Sequence, residues 1–122
     1  MPSPAPDGAD HYFARYAGDR IRPHLSTVVV ADELAFVCAS GELFSDLAVG
    51  LRARSPAAHT VFLGYCNGHD LYFPTLRAIQ ERPWGYGSSW LSSWVEPGAG
   101  EQMMDLAVEH IHRFLDSEPP KP

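Results

Sequence analysis

Apolar and polar positions follow two distinct periods along this chain. Leu25 to Val30 and Leu34 to Ala39 are β-branched or aromatic runs, and the polar pair Asp32-Glu33 separates them, which predicts a hairpin. Phe44, Leu47, Ala48 and Leu51 recur at helical spacing, and Pro56 bounds that helix. His59 to Cys66 reads as a third strand, Asn67-Gly68 as a turn, and Asp70 to Phe73 as a short fourth strand. Pro74 suits the start of a helix through Glu81, with Thr75 in its first turn and Pro83 beyond its end. Residues 83–98 hold Gly, Ser and Pro together with Trp84, Trp90 and Trp94. A last helix runs from about Ala99 to Asp116, with Met104, Ala107, Val108, Ile111 and Leu115 on its apolar face.

Upstream of the hairpin, residues 9–17 suit a short helix with Tyr12, Phe13 and Tyr16 inward. The Pro-rich ends, 1–8 and 117–122, read as disordered tails. The fold class expected is α/β of the mixed α+β kind: a single domain over 9–116, with a small sheet of three to four strands and a hairpin, packed against three to four helices.

Composition narrows the function. The 122 residues suit one domain, and 45% hydrophobic with 20% charged residues is ordinary for a globular chain. A net charge of -6, with scattered Arg residues, argues against nucleic-acid binding. No apolar run approaches the ~20 residues that span a bilayer. The N-terminal residues lack a basic segment followed by an apolar one, so the expected compartment is the cytoplasm. Cys38 and Cys66 fall in strand-like runs; a disulfide between neighbouring strands is conceivable, but two reduced thiols used as small hydrophobes is the reading preferred for that compartment.

Three stretches could carry chemistry. Ser40-Gly41-Glu42 lies at a strand-to-helix junction, where Glu42 is either a first-turn helix acid or a carboxylate aimed into a crevice at a strand's end. Asn67-Gly68-His69-Asp70-Leu71-Tyr72 follows a strand and offers His69, Asp70 and Tyr72 for metal binding or proton transfer, against the alternative of a polar surface turn. His110 and His112 sit two apart on the last helix, where side chains do not share a face, so they read as solvated. Trp84, Tyr86, Trp90 and Trp94 line either a pocket or interface, or ordinary core. No Gly-x-Ser-x-Gly elbow and no phosphate loop is present.

These stretches carry a resemblance. Leu34 to Phe44, with Ser40-Gly41-Glu42-Leu43-Phe44, resembles a strand followed by Pro-Gly-Glu-x-Phe in the neutral/alkaline ceramidase-type proteins. Gly64-Tyr65-Cys66-Asn67-Gly68-His69 and Tyr72-Phe73-Pro74-Thr75 resemble that family's Gly-x-x-Asn-x-Tyr-x-x-Tyr-x-Pro/Thr-Thr segment, and Pro97-Gly98-Ala99-Gly100-Glu101 before a helix resembles the end of its catalytic region. The motifs occur in family order over about residues 25–115. The resemblance implies zinc-dependent hydrolysis of a ceramide-like amide. Carried over by position, Glu42 and His69 are metal ligands, His69 standing where the family has Tyr. Ser40 stands in place of Pro, and Tyr86-Gly87 in place of Tyr-Glu. By its chemistry and its proximity to His69, rather than by carry-over, Tyr72 is the expected catalytic residue, stabilising the oxyanion, and Asn67, Asp70, Trp84 and Tyr86 are the expected substrate-binding residues.

The family's other two ligands are histidines from an upstream region with no counterpart here. A catalytic zinc usually takes three protein ligands and a water. The resemblance therefore implies a small subunit completed by a second protein chain, or a homo-oligomer sharing a metal site. The alternative is a non-catalytic module binding a small ligand or a protein.

Overall fold

The computed structural model describes residues 21–89 and 92–116. The expected helix over 9–17, both tails and Trp90 lie outside the described residues. The rest is a mixed α+β fold, as the periodicity implies.

Strands β1 (Leu25–Val30) and β2 (Leu34–Ala39) form the hairpin, antiparallel with Leu25 opposite Ala39 and Val30 opposite Leu34. Its turn is carried by Ala31 and Asp32, both at positive φ (53° and 58°), and Glu33 N–H closes it onto Val30 O at 3.2 Å. Two successive left-handed residues match the twist of a hairpin. The chain then passes through a two-residue strand β3 (Glu42–Leu43), helix α1 (Ser45–Arg54) and strand β4 (His59–Leu63), which pairs parallel with β2. The three-stranded sheet has the order β1-β2-β4. Strand β5 (Tyr72–Phe73), helix α2 (Leu76–Glu81) and helix α3 (Ala99–Asp116) complete the chain.

Alternation along the strands divides the sheet into two unlike faces. On the inner face Val29, Ala35 and Thr60 sit side by side, as do Thr27, Val37 and Phe62. Helices α1 and α3 pack on this side. Ala35, Val37, Ala39, Leu47, Leu51, Phe73, Met104, Ala107 and Ile111 form the buried core. The outer face carries Val28, Phe36 and Val61 in one row and Cys38 with Leu63 in the next. Val28 (54%) and Leu63 (43%) remain exposed there.

Three expectations are corrected. The short strand near Tyr72 does not join the main sheet: β5 pairs parallel with β3, Glu42 beside Tyr72 and Leu43 beside Phe73, in a separate two-stranded ribbon. Nor does Glu42 open the helix. Its backbone is committed to that ribbon, with Glu42 N–H donating to Leu71 O at 2.8 Å, and α1 begins at Ser45. The first-turn acid of α1 is Asp46. Similarly, Thr75 is the cap of α2 rather than part of its first turn, its Oγ1 accepting from Ala78 N at 3.0 Å. Glu101 of α3 reaches the same helix end, accepting from Leu76 N at 2.7 Å. His110 lies against β1 (Nδ1 to Thr27 Oγ1, 3.5 Å), whereas His112 is exposed. Among the described residues no helix is long and apolar enough to cross a membrane.

Candidate functional site

The β3–β5 ribbon is what builds the site. A parallel bridge puts opposed residues on the same face, so Glu42 and Tyr72 stand side by side. Gly41 permits this approach: a Cβ there would meet the Phe73 ring and lie 2.9 Å from Leu71 O. Beside the ribbon is an open cleft of about 680 Å³, lined by Glu42, Tyr65, His69, Leu71, Tyr72, Trp84, Tyr86, Ser89 and Ser92. That volume lies within the range of small-molecule sites.

The loop from Gly64 to Leu71 aims two of these side chains. Tyr65, Asn67 and Leu71 all have left-handed backbones (φ 56°, 58° and 61°). For an L residue this costs about 1 kcal/mol each, and a branched residue such as Leu rarely accepts it. Strain of this kind persists where surrounding contacts impose it. Those contacts come from Ser40, which is fully buried. Its hydroxyl donates to Asp70 Oδ2 and accepts from His24 N at 2.7 Å, while its carbonyl accepts from Asp70 N at 2.8 Å. A proline at position 40 would lack this hydroxyl.

Pinned in this way, the loop sets Tyr65 on Glu42 and His69 beside Tyr65, on the same cleft. The Tyr65 hydroxyl donates to Glu42 Oε2, and the His69 ring meets the Tyr65 ring edge-on at 5.2 Å. Tyr72 packs edge-on between Phe44 (6.4 Å) and Tyr86 (5.5 Å). The Glu42 carboxylate accepts the Tyr72 hydroxyl, and with partial desolvation this pushes the Tyr72 pKa up to about 12. The same carboxylate raises Tyr65. Both phenols therefore stay protonated donors at neutral pH.

The far wall comes from the segment after α2. Tyr72 N–H donates to Ser92 O at 3.1 Å, which stitches this segment to β5, and the Ser92 hydroxyl donates to Tyr86 O. Gly87 is buried against Phe44 and Tyr72, where a Cβ would lie 2.9 Å from Tyr72 Cδ1. No larger residue, glutamate included, fits there without moving those rings. Trp84 and Tyr86 are 82% and 83% exposed at the mouth.

Of the residues singled out in the sequence, Glu42, His69, Tyr72, Trp84 and Tyr86 meet in this one cleft. Asn67 and Asp70 do not line it: Asn67 is an exposed turn residue, and Asp70 is turned away onto Ser40. Trp94 is half-buried away from the lining. Tyr65, Leu71, Ser89 and Ser92 were not anticipated. Tyr65 carried a signal, since it follows the same strand end as His69, but its left-handed turn is not written in any spacing.

Carboxylate and imidazole are donor types that zinc accepts, so Glu42 and His69 fit part of a zinc site. Among the described residues no three His, Cys, Asp or Glu side chains cluster as a metal site. The conventional donors at the cleft thus number two.

No family model, curated protein or solved structure matches this chain.

Proposed function

We propose that this cleft is one side of a ceramidase-like, zinc-dependent amide hydrolase site, completed by another chain. The observation that carries the reading is the meeting of Glu42 and His69, distant in sequence, on one cleft with the Tyr72 hydroxyl. The motif resemblance assigns the same two residues to metal binding.

On this reading Glu42 and His69 hold the ion, and a second protein or a second copy supplies the ligands this chain lacks. Zinc, when bound, supplies Lewis-acid polarisation of the amide carbonyl and a lowered pKa for a bound water. The Tyr72 hydroxyl has one proton to donate, so it turns from the Glu42 carboxylate to the oxyanion that develops on the carbonyl. Trp84 and Tyr86 offer flat, exposed faces to the hydrocarbon part of a small amide or lipid-like substrate. The apolar outer face of the sheet, with Val28, Phe36, Val61 and Leu63, supports a protein partner, since such faces mark interfaces. A cytoplasmic setting is part of the proposal.

A second reading rests on the aromatic mouth alone: a module that binds a small apolar ligand without chemistry. The experiment is hydrolysis of an N-acyl amide by the chain combined with zinc and its co-purified partner. Activity abolished by Glu42→Ala and by His69→Ala supports the hydrolase. Full activity in both variants refutes it. Ligand binding without zinc dependence favours the module.

A further inference from the structure

Cys38 and Cys66 do not line the cleft, and the proposed hydrolysis uses neither. Their placement is nonetheless specific. Cys38 lies on the outer face of β2, opposite Leu63 of β4. Beyond Leu63 the chain turns back on itself. Cys66 N–H donates to Ala39 O at 2.9 Å, the residue next to Cys38, and Cys66 Sγ donates to Leu63 O at 3.6 Å. These two contacts fold the Cys66 side chain toward the strand position that faces Cys38. Burial, and after it the neighbouring Cys66 thiol, pushes the Cys38 thiol above its ordinary pKa. Both are reduced and both are partly exposed.

We propose that Cys38 and Cys66 form a reversible disulfide that ties the start of the His69 loop to the end of β2. Disulfides need Cα atoms within about 4.4–6.8 Å and Cβ vectors that converge. A backbone hydrogen bond to the residue next to Cys38, with the Cys66 thiol turned onto Leu63, the register partner of Cys38, is the arrangement that meets this need with little movement. The oxidant is a small disulfide such as glutathione disulfide. One cysteine thiolate attacks it, forming a mixed disulfide and releasing one glutathione thiolate. The second cysteine then attacks the protein-bound sulfur, forming the Cys38–Cys66 bond and releasing the second glutathione. Two protein thiols are oxidised, one glutathione disulfide is reduced to two thiols, and the two protons pass to solvent or the leaving thiolates.

The consequence falls on the loop. Cys66 sits between Tyr65 and Asn67, two of the left-handed residues that set the direction of Tyr65 and His69. The far end of the same loop is already held by Asp70 on Ser40. Closing the disulfide adds a covalent tie at the near end, which backbone hydrogen bonds from Tyr65 N and Cys66 N alone hold in the reduced form.

The test uses the whole chain, exposed to glutathione disulfide without denaturant and analysed by mass and peptide mapping. The expected product is a monomer lighter by about 2 Da, reversed by dithiothreitol, with Cys38 and Cys66 in one linked peptide pair. The melting temperature should rise by several degrees on oxidation, and neither change should occur in Cys38→Ser or Cys66→Ser. Mapping the native chain keeps the test valid if either variant folds poorly. Thiols that stay free in the folded chain but cross-link in urea overturn the proposal. So does a product made only of glutathione adducts or linked dimers. None of these outcomes depends on zinc.

Discussion

Glu42 and Tyr72 are register partners in the two-residue ribbon of β3 and β5, and this pairing sets a carboxylate against a phenol at the edge of the cleft. Neither residue belongs to the main sheet. The ribbon brings the segment before α1 to the segment before α2, and the site follows from it.

The first prediction concerns the Tyr72 proton. Its pKa, about 12 in the folded chain, is raised from an ordinary 10.0 chiefly by the hydrogen bond to Glu42. A raised folded pKa contributes stability that is full below pH 10 and is lost as pH rises through 12. Tyrosinate absorbance should therefore show a late-ionising phenol, absent in Tyr72→Phe. Glu42→Gln removes the negative charge and should bring that step back toward the ordinary value. An unchanged titration in Glu42→Gln would contradict the pairing.

Ser40 is the second test. Ser40→Ala removes the hydroxyl that bridges His24 N and the Asp70 carboxylate and leaves both partly exposed groups short of a partner. The expected loss is about 1–3 kcal/mol in denaturant unfolding. Asp70→Ala should not add fully to it, because the two share one interaction. Full additivity would show that the latch contributes nothing.

Close approach gives the third. Gly41→Ala forces a methyl group into the Phe73 ring and toward Leu71 O. A cost of about 1–3 kcal/mol is expected by thermal or urea unfolding. Gly50→Ala is the control, since nothing lies near its Cβ position and helix propensity favours Ala there.

Much of this was legible in the sequence, and the failures have a common cause. The hairpin over 25–39 and α3 over 99–116 were readable because six-residue alternation and an 18-residue helical stripe each repeat a period several times. The β3–β5 ribbon was not, because two residues per strand complete no period. Glu42 was consequently read as opening a helix that begins at Ser45. The convergence of Glu42, His69 and Tyr72 depends on that ribbon and on the left-handed turns at Tyr65, Asn67 and Leu71, which local propensity opposes. Asp70 has the side-chain chemistry of a site residue, yet its carboxylate serves the loop's own anchorage.

A partner is the fourth prediction. Val28 and Leu63 stand exposed on the outer sheet face. Replacing both with Lys should leave the melting temperature nearly unchanged while weakening association, with a partner or with itself, at least tenfold in sedimentation or pull-down measurements. An isolated chain that sediments as a monomer and binds no apolar dye would contradict the need for a partner.

The most direct test of the central claim is zinc binding by calorimetry, to the chain alone and with its completing chain. The account predicts about one zinc per subunit in the completed site, weakened 10- to 100-fold or more by Glu42→Ala and by His69→Ala, with the fold retained. Zinc that binds equally well to both variants, or no zinc even in the completed assembly, would contradict it.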